Sequence, residues 1–142
     1  MTISLLKKIG VEITKTENKI SVCELQKIES KKHHIESDWS SASYFYSVVA
    51  LAKIGFSLKL SKFYFKSLQG DSKVADIYKS FGVKTTYLDD LVILKKIESN
   101  TEKFSFDLIS NPDLAQTICV TCLGLGIKSV SYTHLTLPTT YH

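Results

Sequence analysis

The sequence predicts a mixed α/β (α+β) architecture of repeated units, with helices packed inside a layer or ring of sheets. Three observations carry this expectation. Two segments, about 40–54 and 111–125, are apolar or small nearly all round, with Lys53 and Asp113 their only charges. A helix without a polar face is buried on most sides. Short stretches between turn residues alternate apolar and polar, as hairpin strands do. The order of these features also recurs: Gly10-Val11 returns as Gly82-Val83, 72 residues on, and Asp38 before the first chargeless segment is matched by Asn111, 73 residues on. A period of that kind marks an internally repeated unit, here amphipathic helix, Gly, hairpin, short strand, buried helix, strand.

Taken in order, Ile3, Leu6 and Ile9 share one helical face, and Gly10 is placed to end that helix. Val11-Glu12-Ile13 and Ile20-Ser21-Val22 alternate around the turn Thr16–Lys19 and predict a hairpin. Residues 24–34 read as a polar loop, with a short strand near His34-Ile35-Glu36. Asp38 is a fitting N-cap for a helix from about Ser40 to Ile54, with Ala42, Phe45, Val48, Val49 and Ala52 along one side and Gly55 at its end. Phe56, Leu58 and Leu60 then alternate as a strand.

In the second unit Gly70-Asp71 opens an amphipathic helix. Val74, Ile77, Tyr78 and Phe81 point inward, Lys73, Asp76 and Lys79 point outward, and Gly82 caps it. Val83-Lys84-Thr85, the turn Asp89-Asp90 and Leu91 to Leu94 form the next hairpin. Asn111-Pro112 begins the second chargeless helix, with Asn as cap and Pro at the first helical position. The last 13 residues, from Val130, contain no Asp, Glu, Lys or Arg. Their Val-Ser-Tyr-Thr-His-Leu looks like a translated sequencing-adapter end, so 130–142 is expected to be a non-native tail.

Composition narrows the function. The 142 residues are 44% hydrophobic and 23% charged, an ordinary globular balance in which one domain can bury a core. No apolar run is long enough to cross a bilayer, and Met1 to Lys8 has no features of a secretory leader. Three cysteines do not make a disulfide framework, and a reducing cytoplasm is the expected setting. Every basic residue in the net charge of +4 is Lys. Without Arg, and with the Lys residues scattered, no nucleic-acid surface is predicted. A site gripping phosphates or carboxylates would ordinarily use the guanidinium fork that this chain lacks.

Cys119-Val120-Thr121-Cys122 has the spacing of a redox or zinc pair. Redox pairs open a helix, whereas this one lies a turn or more inside one, and Cys23 and His33-His34 are the only further ligands on offer. Core packing is the expected role. Asp38 and Asp71 read as structural N-caps. Ser40-Ser41 has no neighbouring base implied by the sequence. Asp113 falls in the first turn of a helix, where the dipole favours an ionised carboxylate, either as a dipole partner alone or as a group able to accept a hydroxyl proton.

Three segments carry a family resemblance. Asp38-Trp39-Ser40-Ser41-Ala42-Ser43-Tyr44-Phe45 is similar to the D-x-S-S-A-S-Y-F stretch of EPSP synthases. Ser67-Leu68-Gln69-Gly70-Asp71 is similar to their S-x-Q-G-D, and Pro112-Asp113-Leu114-Ala115-Gln116-Thr117 to their P-D-x-A-x-T. The resemblance covers residues 1 to about 128, and Met1-Thr2-Ile3-Ser4-Leu5-Leu6 looks like an internal stretch of the family, so Met1 is not expected to be a native start. It implies an incomplete enolpyruvyl transferase fold, two domains each of three βαβαββ units. Residues 1–36 would end the first domain and 37–129 would form part of the second.

By resemblance the complete enzyme moves the enolpyruvyl group of phosphoenolpyruvate to the 5-hydroxyl of shikimate 3-phosphate and releases phosphate. It is a monomer without metal or organic cofactor, on the route to chorismate and the aromatic amino acids. Asp113 matches the family residue that bonds the shikimate hydroxyls and accepts a proton. The family's Lys-Ser-x-x-x-Arg, S-S-Q and K-E-T-D-R segments have no counterpart here, so the chain alone is expected to be inactive. The rival readings are the sister enzyme acting on a UDP-amino sugar and a non-catalytic binding module.

Overall fold

The computed structural model describes residues 1–24, 34–98, 104–127 and 130–131. The chain divides into two compact units, Met1–Ile35 and Glu36–His142. In the first, helix α1 (Thr2–Lys8) ends near Gly10, which takes φ +98° and turns the chain into a two-stranded antiparallel hairpin, β1 (Ile13–Lys15) and β2 (Ile20–Val22). The Thr16 amide donates to the Lys19 carbonyl and closes the turn at 2.9 Å. The first strand starts two residues later than its alternation suggests. Val11 is nevertheless buried, and the Cys23 amide still donates to Glu12.

The connector 34–38, where the first unit gives way to the second, carries no strand, contrary to the sequence expectation. The Ser37 backbone amide and hydroxyl both donate to the loop end of the next strand, at Lys62 and Ser61, outside any ladder. Helix α2 (Trp39–Leu51) follows. It packs on a three-stranded antiparallel sheet of order β3-β5-β4, built from β3 (Ser57–Ser61), β4 (Val83–Leu88) and β5 (Leu91–Lys96). Tight pairing of Leu88 with Leu91 across Asp89, at φ +46°, makes the hairpin turn.

Between β3 and β4 the chain winds through a 3-10 turn (Gly70–Lys73), helix α3 (Val74–Ile77) and a second 3-10 turn (Tyr78–Phe81). The predicted inward face is the observed one, with Val74, Ile77, Tyr78 and Phe81 each no more than 1% exposed. Lys96 is buried as well. Its Nζ donates to the Phe81 carbonyl at 2.7 Å, placing a cation at the carbonyl end of that turn, where the dipole favours it. Strand β6 (Phe104–Ser105) runs parallel to β7 (Val130–Ser131). The remainder of the expected tail, 132–142, and the loop 25–33 lie outside the described residues.

The second apolar helix starts with a 3-10 turn (Pro112–Leu114) before α4 (Ala115–Gly124). Helices α2 and α4 lie side by side, running the same way. Thr117 Oγ1 bonds Ser43 Oγ at 3.0 Å and Thr121 Oγ1 bonds Ser47 Oγ at 2.8 Å, both pairs 74 residues apart. The two chargeless segments of the sequence thus meet directly along one seam. At the seam, Gly124 leaves room for Leu51, whose Cδ2 would stand 2.5 Å from an added Cβ.

One expectation about α2 is corrected. Phe45 and Val48 are not inward; with Tyr44 and Leu51 they are exposed, and the buried side is Trp39, Ala42, Ser43, Tyr46, Ser47, Val49 and Ala50. On α4, Val120 and Leu123 are also exposed. The hydroxyl pairs turn Ser43 and Ser47 toward α4. That rotates Tyr44, Phe45 and Val48 away from the buried side.

Candidate functional site

The chemistry-bearing residues gather at the N-terminal ends of α2 and α4. Asp38 caps α2 as the sequence predicts: its carboxylate accepts from the Ser40 and Ser41 amides at 3.1 and 3.2 Å, and from the Ser41 hydroxyl at 2.6 Å. That hydroxyl, helped by the two amides and opposed by partial desolvation, holds the Asp38 carboxyl below its ordinary range. The remaining first-turn amide, Trp39 N–H, donates to Gln69 Oε1 at 2.9 Å, so a side chain 30 residues away completes the cap.

Gln69 also donates through Nε2 to the Ser37 carbonyl at 2.8 Å. Beside it, the Glu36 carboxylate collects the Trp39 indole N–H at 2.8 Å, the Ser67 hydroxyl at 2.6 Å and the Tyr64 amide at 3.3 Å. Of the residues predicted as a short strand, Glu36 therefore serves as an anchor instead. This network escaped sequence reasoning because none of its members has a strong local signal. The S-x-Q-G-D segment that supplies Ser67 and Gln69 was the available clue.

Asp71 is not an N-cap, which corrects the sequence reading. Gln69 holds the cap position of that 3-10 turn, and Asp71 points across to the other two helix heads. Its Oδ2 accepts from Ser40 Oγ at 2.5 Å and its Oδ1 from Asn111 Nδ2 at 2.8 Å. Ser40 therefore does have a carboxylate beside it. Asn111 occupies the predicted cap position of the second helix, but its side chain makes no capping bond and is spent on Asp71 instead.

Asp113 lies two residues on, in the 3-10 turn, exposed to solvent, and its carboxylate takes no hydrogen bond or ion pair from any described residue. The structure thus brings Asp38, Asp71, Asn111 and the turn bearing Asp113 to one end of the paired helices. It leaves Asp113 alone among the acidic groups there with an unclaimed carboxylate.

The Cys pair stays apart from this cluster. Cys119 is exposed and Cys122 buried in α4, and among the described residues no group of three or more His, Cys, Asp or Glu could hold a metal ion. Burial pushes the Cys122 thiol up to about 11 from 9.0, and it raises Tyr46 and Tyr78 above 10.0. In that alkaline window the unfolded chain loses protons that the folded chain keeps, so stability falls as pH rises from about 9. A chromogenic disulfide reagent at about pH 8 should therefore titrate Cys23 and Cys119 in the folded chain and Cys122 only after unfolding. Equal rates for Cys119 and Cys122 would contradict the packing described above.

The fold and the cluster define a mixed α/β protein whose polar residues converge at the heads of two parallel helices. Residues 1–131 match the family model of EPSP synthase (3-phosphoshikimate 1-carboxyvinyltransferase). Proteins named 3-phosphoshikimate 1-carboxyvinyltransferase are similar over most of the chain. The one from Bacteroides fragilis (strain YCH46) is 34% identical over 127 residues, 89% of this chain and 31% of that protein. The one from Buchnera aphidicola subsp. Baizongia pistaciae is 35% identical over 132 residues, covering 92% and 30%. The one from Methanosphaera stadtmanae is 33% identical over 125 residues, covering 84% and 29%. The chain belongs to the EPSP synthase family and spans about 30% of the length of these relatives. No helix among the described residues is long and apolar enough to cross a membrane.

Proposed function

We propose that this chain supplies part of a cytoplasmic, monomeric transferase that moves the enolpyruvyl group of phosphoenolpyruvate to the 5-hydroxyl of shikimate 3-phosphate. In this reading Asp113 bonds the shikimate ring hydroxyls and accepts the proton of the attacking one. The observation that carries it is the family match over residues 1–131, with the P-D-x-A-x-T motif presenting Asp113 on an exposed helix-head turn. Its unclaimed carboxylate has the chemistry of a hydroxyl acceptor, and general-base help of this kind is worth roughly 10²–10⁴-fold in rate.

Two anionic substrates also need cationic clamps, and a chain with no Arg lacks the usual ones. The purified chain is accordingly expected to release no phosphate from the two substrates. Substrate-dependent release would overturn the view that the rest of the site lies on other segments. The role of Asp113 is tested in a chimera in which residues 1–127 replace the matching segment of the Bacteroides fragilis relative. There Asp113→Asn should lower kcat by roughly 10²-fold or more. Unchanged kcat would remove Asp113 from the chemistry.

A further inference from the structure

We propose that Asp71 is a positioning residue, whose carboxylate sets the turn that presents Asp113. The proposal rests on the reading of Asp113 given above. Leu114 anchors the far end of the turn in the core, where Thr117 Oγ1 donates to its carbonyl, and the Ala115 amide donates to the Pro112 carbonyl; the head of the turn is held differently. Asn111 is 1% exposed, its amide donates to the Leu108 carbonyl and its own carbonyl accepts from the Leu114 amide at 3.2 Å. Pro112 has no N–H to give, and Asp113 is exposed. The side-chain hold at the head of the turn is therefore Asn111 Nδ2 on Asp71 Oδ1, at 2.8 Å.

Asp71 is in turn fixed from two sides. Ser40 of α2 donates to its second oxygen, and Gln69, two residues before it, is bound to the Trp39 amide and the Ser37 carbonyl. Gly70 brings this segment close to its target: a Cβ there would already touch Asn111 Nδ2, at 3.5 Å. Two donors from two helix heads converge on one carboxylate, which an anion accepts with both oxygens and an amide side chain cannot. The connector, α2 and the Asp113 turn are thereby locked as one piece.

The test is amide hydrogen exchange by NMR on the chain as it stands. Hydrogen bonds to a charged group are worth enough that Asp71→Ala should speed exchange at Asn111 and Leu114 by about tenfold. The Val92 and Leu94 amides of β5 should change far less. Asp71→Asn, the milder variant should the alanine chain fail to fold, and Asn111→Asp should each loosen the turn. Combined, they exchange donor and acceptor, and the double variant should bring the rates back toward the parent. The proposal is overturned if the turn and β5 amides accelerate equally, or if the double variant is no better than the single ones. Asp113→Asn should leave these rates in place. Retained turnover of that variant in the chimera would then count against Asp113 as acceptor without touching the Asp71 clamp.

Discussion

Gly82→Ala is expected to cost about 3 kcal/mol or more, a large part of the 5–15 kcal/mol that holds a typical domain folded. Gly82 sits at φ +73°, a left-handed conformation that costs an L-residue about 1–2 kcal/mol. A Cβ there would also stand 2.1 Å from the Glu98 carbonyl oxygen and 2.8 Å from its carbon. Backbone, not a flexible side-chain end, is what it meets. Relief would require β5 to retreat, breaking the 2.9 Å bond from the Ile97 amide to the Gly82 carbonyl and disturbing the adjacent Val83–Lys96 pair. Gly55→Ala provides the control: φ is +93°, but nothing lies within 4 Å of the added atom, so only the backbone cost of about 1–2 kcal/mol remains. Urea denaturation of both variants separates strain from crowding. Equal losses would mean that the Glu98 contact is not there.

The second large effect is expected at Trp39. It is fully buried, its ring is 4.9 Å from Phe63 in an edge-on contact, and its indole N–H donates to Glu36. Trp39→Ala removes the packing and leaves a cavity, at about 3–5 kcal/mol, and takes one donor from the Glu36 carboxylate. Trp39→Phe keeps most of the volume and should lose clearly less. The chain has one Trp, so the comparison is made by circular dichroism rather than fluorescence. A loss below about 1 kcal/mol for the alanine variant would show that the cluster of α2, Phe63 and Glu36 closes over the gap.

The legible parts of the fold were those governed by local rules. Gly10 and Gly82 announced the positive-φ ends of two helices, and both adopt them. Asp38 announced a cap, and the alternation of residues 83–94 a hairpin. The rotation of α2 was not legible. Ser43 and Ser47 look interchangeable with any small residue until Thr117 and Thr121 are seen opposite them, 74 residues away. The same distance hid Asp71. A carboxylate near a helix start is ordinarily a cap, and only the arrival of Ser40 and Asn111 from other elements gives it another partner. The role proposed for Asp113 rests on its motif, because position in a helix's first turn suits a dipole partner as well as a proton acceptor.

The hydroxyl seam between α2 and α4 also bears on the order in which the chain assembles. Its contacts close a loop of 74 residues, whereas β4 and β5 meet across a turn of two. Loop-closure entropy grows with length, and long-range contacts are rewarded only after that entropy has been lost. Until α4 arrives, Ser43 and Ser47 can keep their hydroxyls hydrated, at little cost, where a seam of leucines would stand bare. Directional bonds then form between matched rungs, and a helix displaced along its axis would meet the wrong partners. A slip by one helical turn would keep one hydroxyl pair and lose the other, so chemistry that contributes modestly to stability lets the two helices wait for one another and favours the register in which both rungs close.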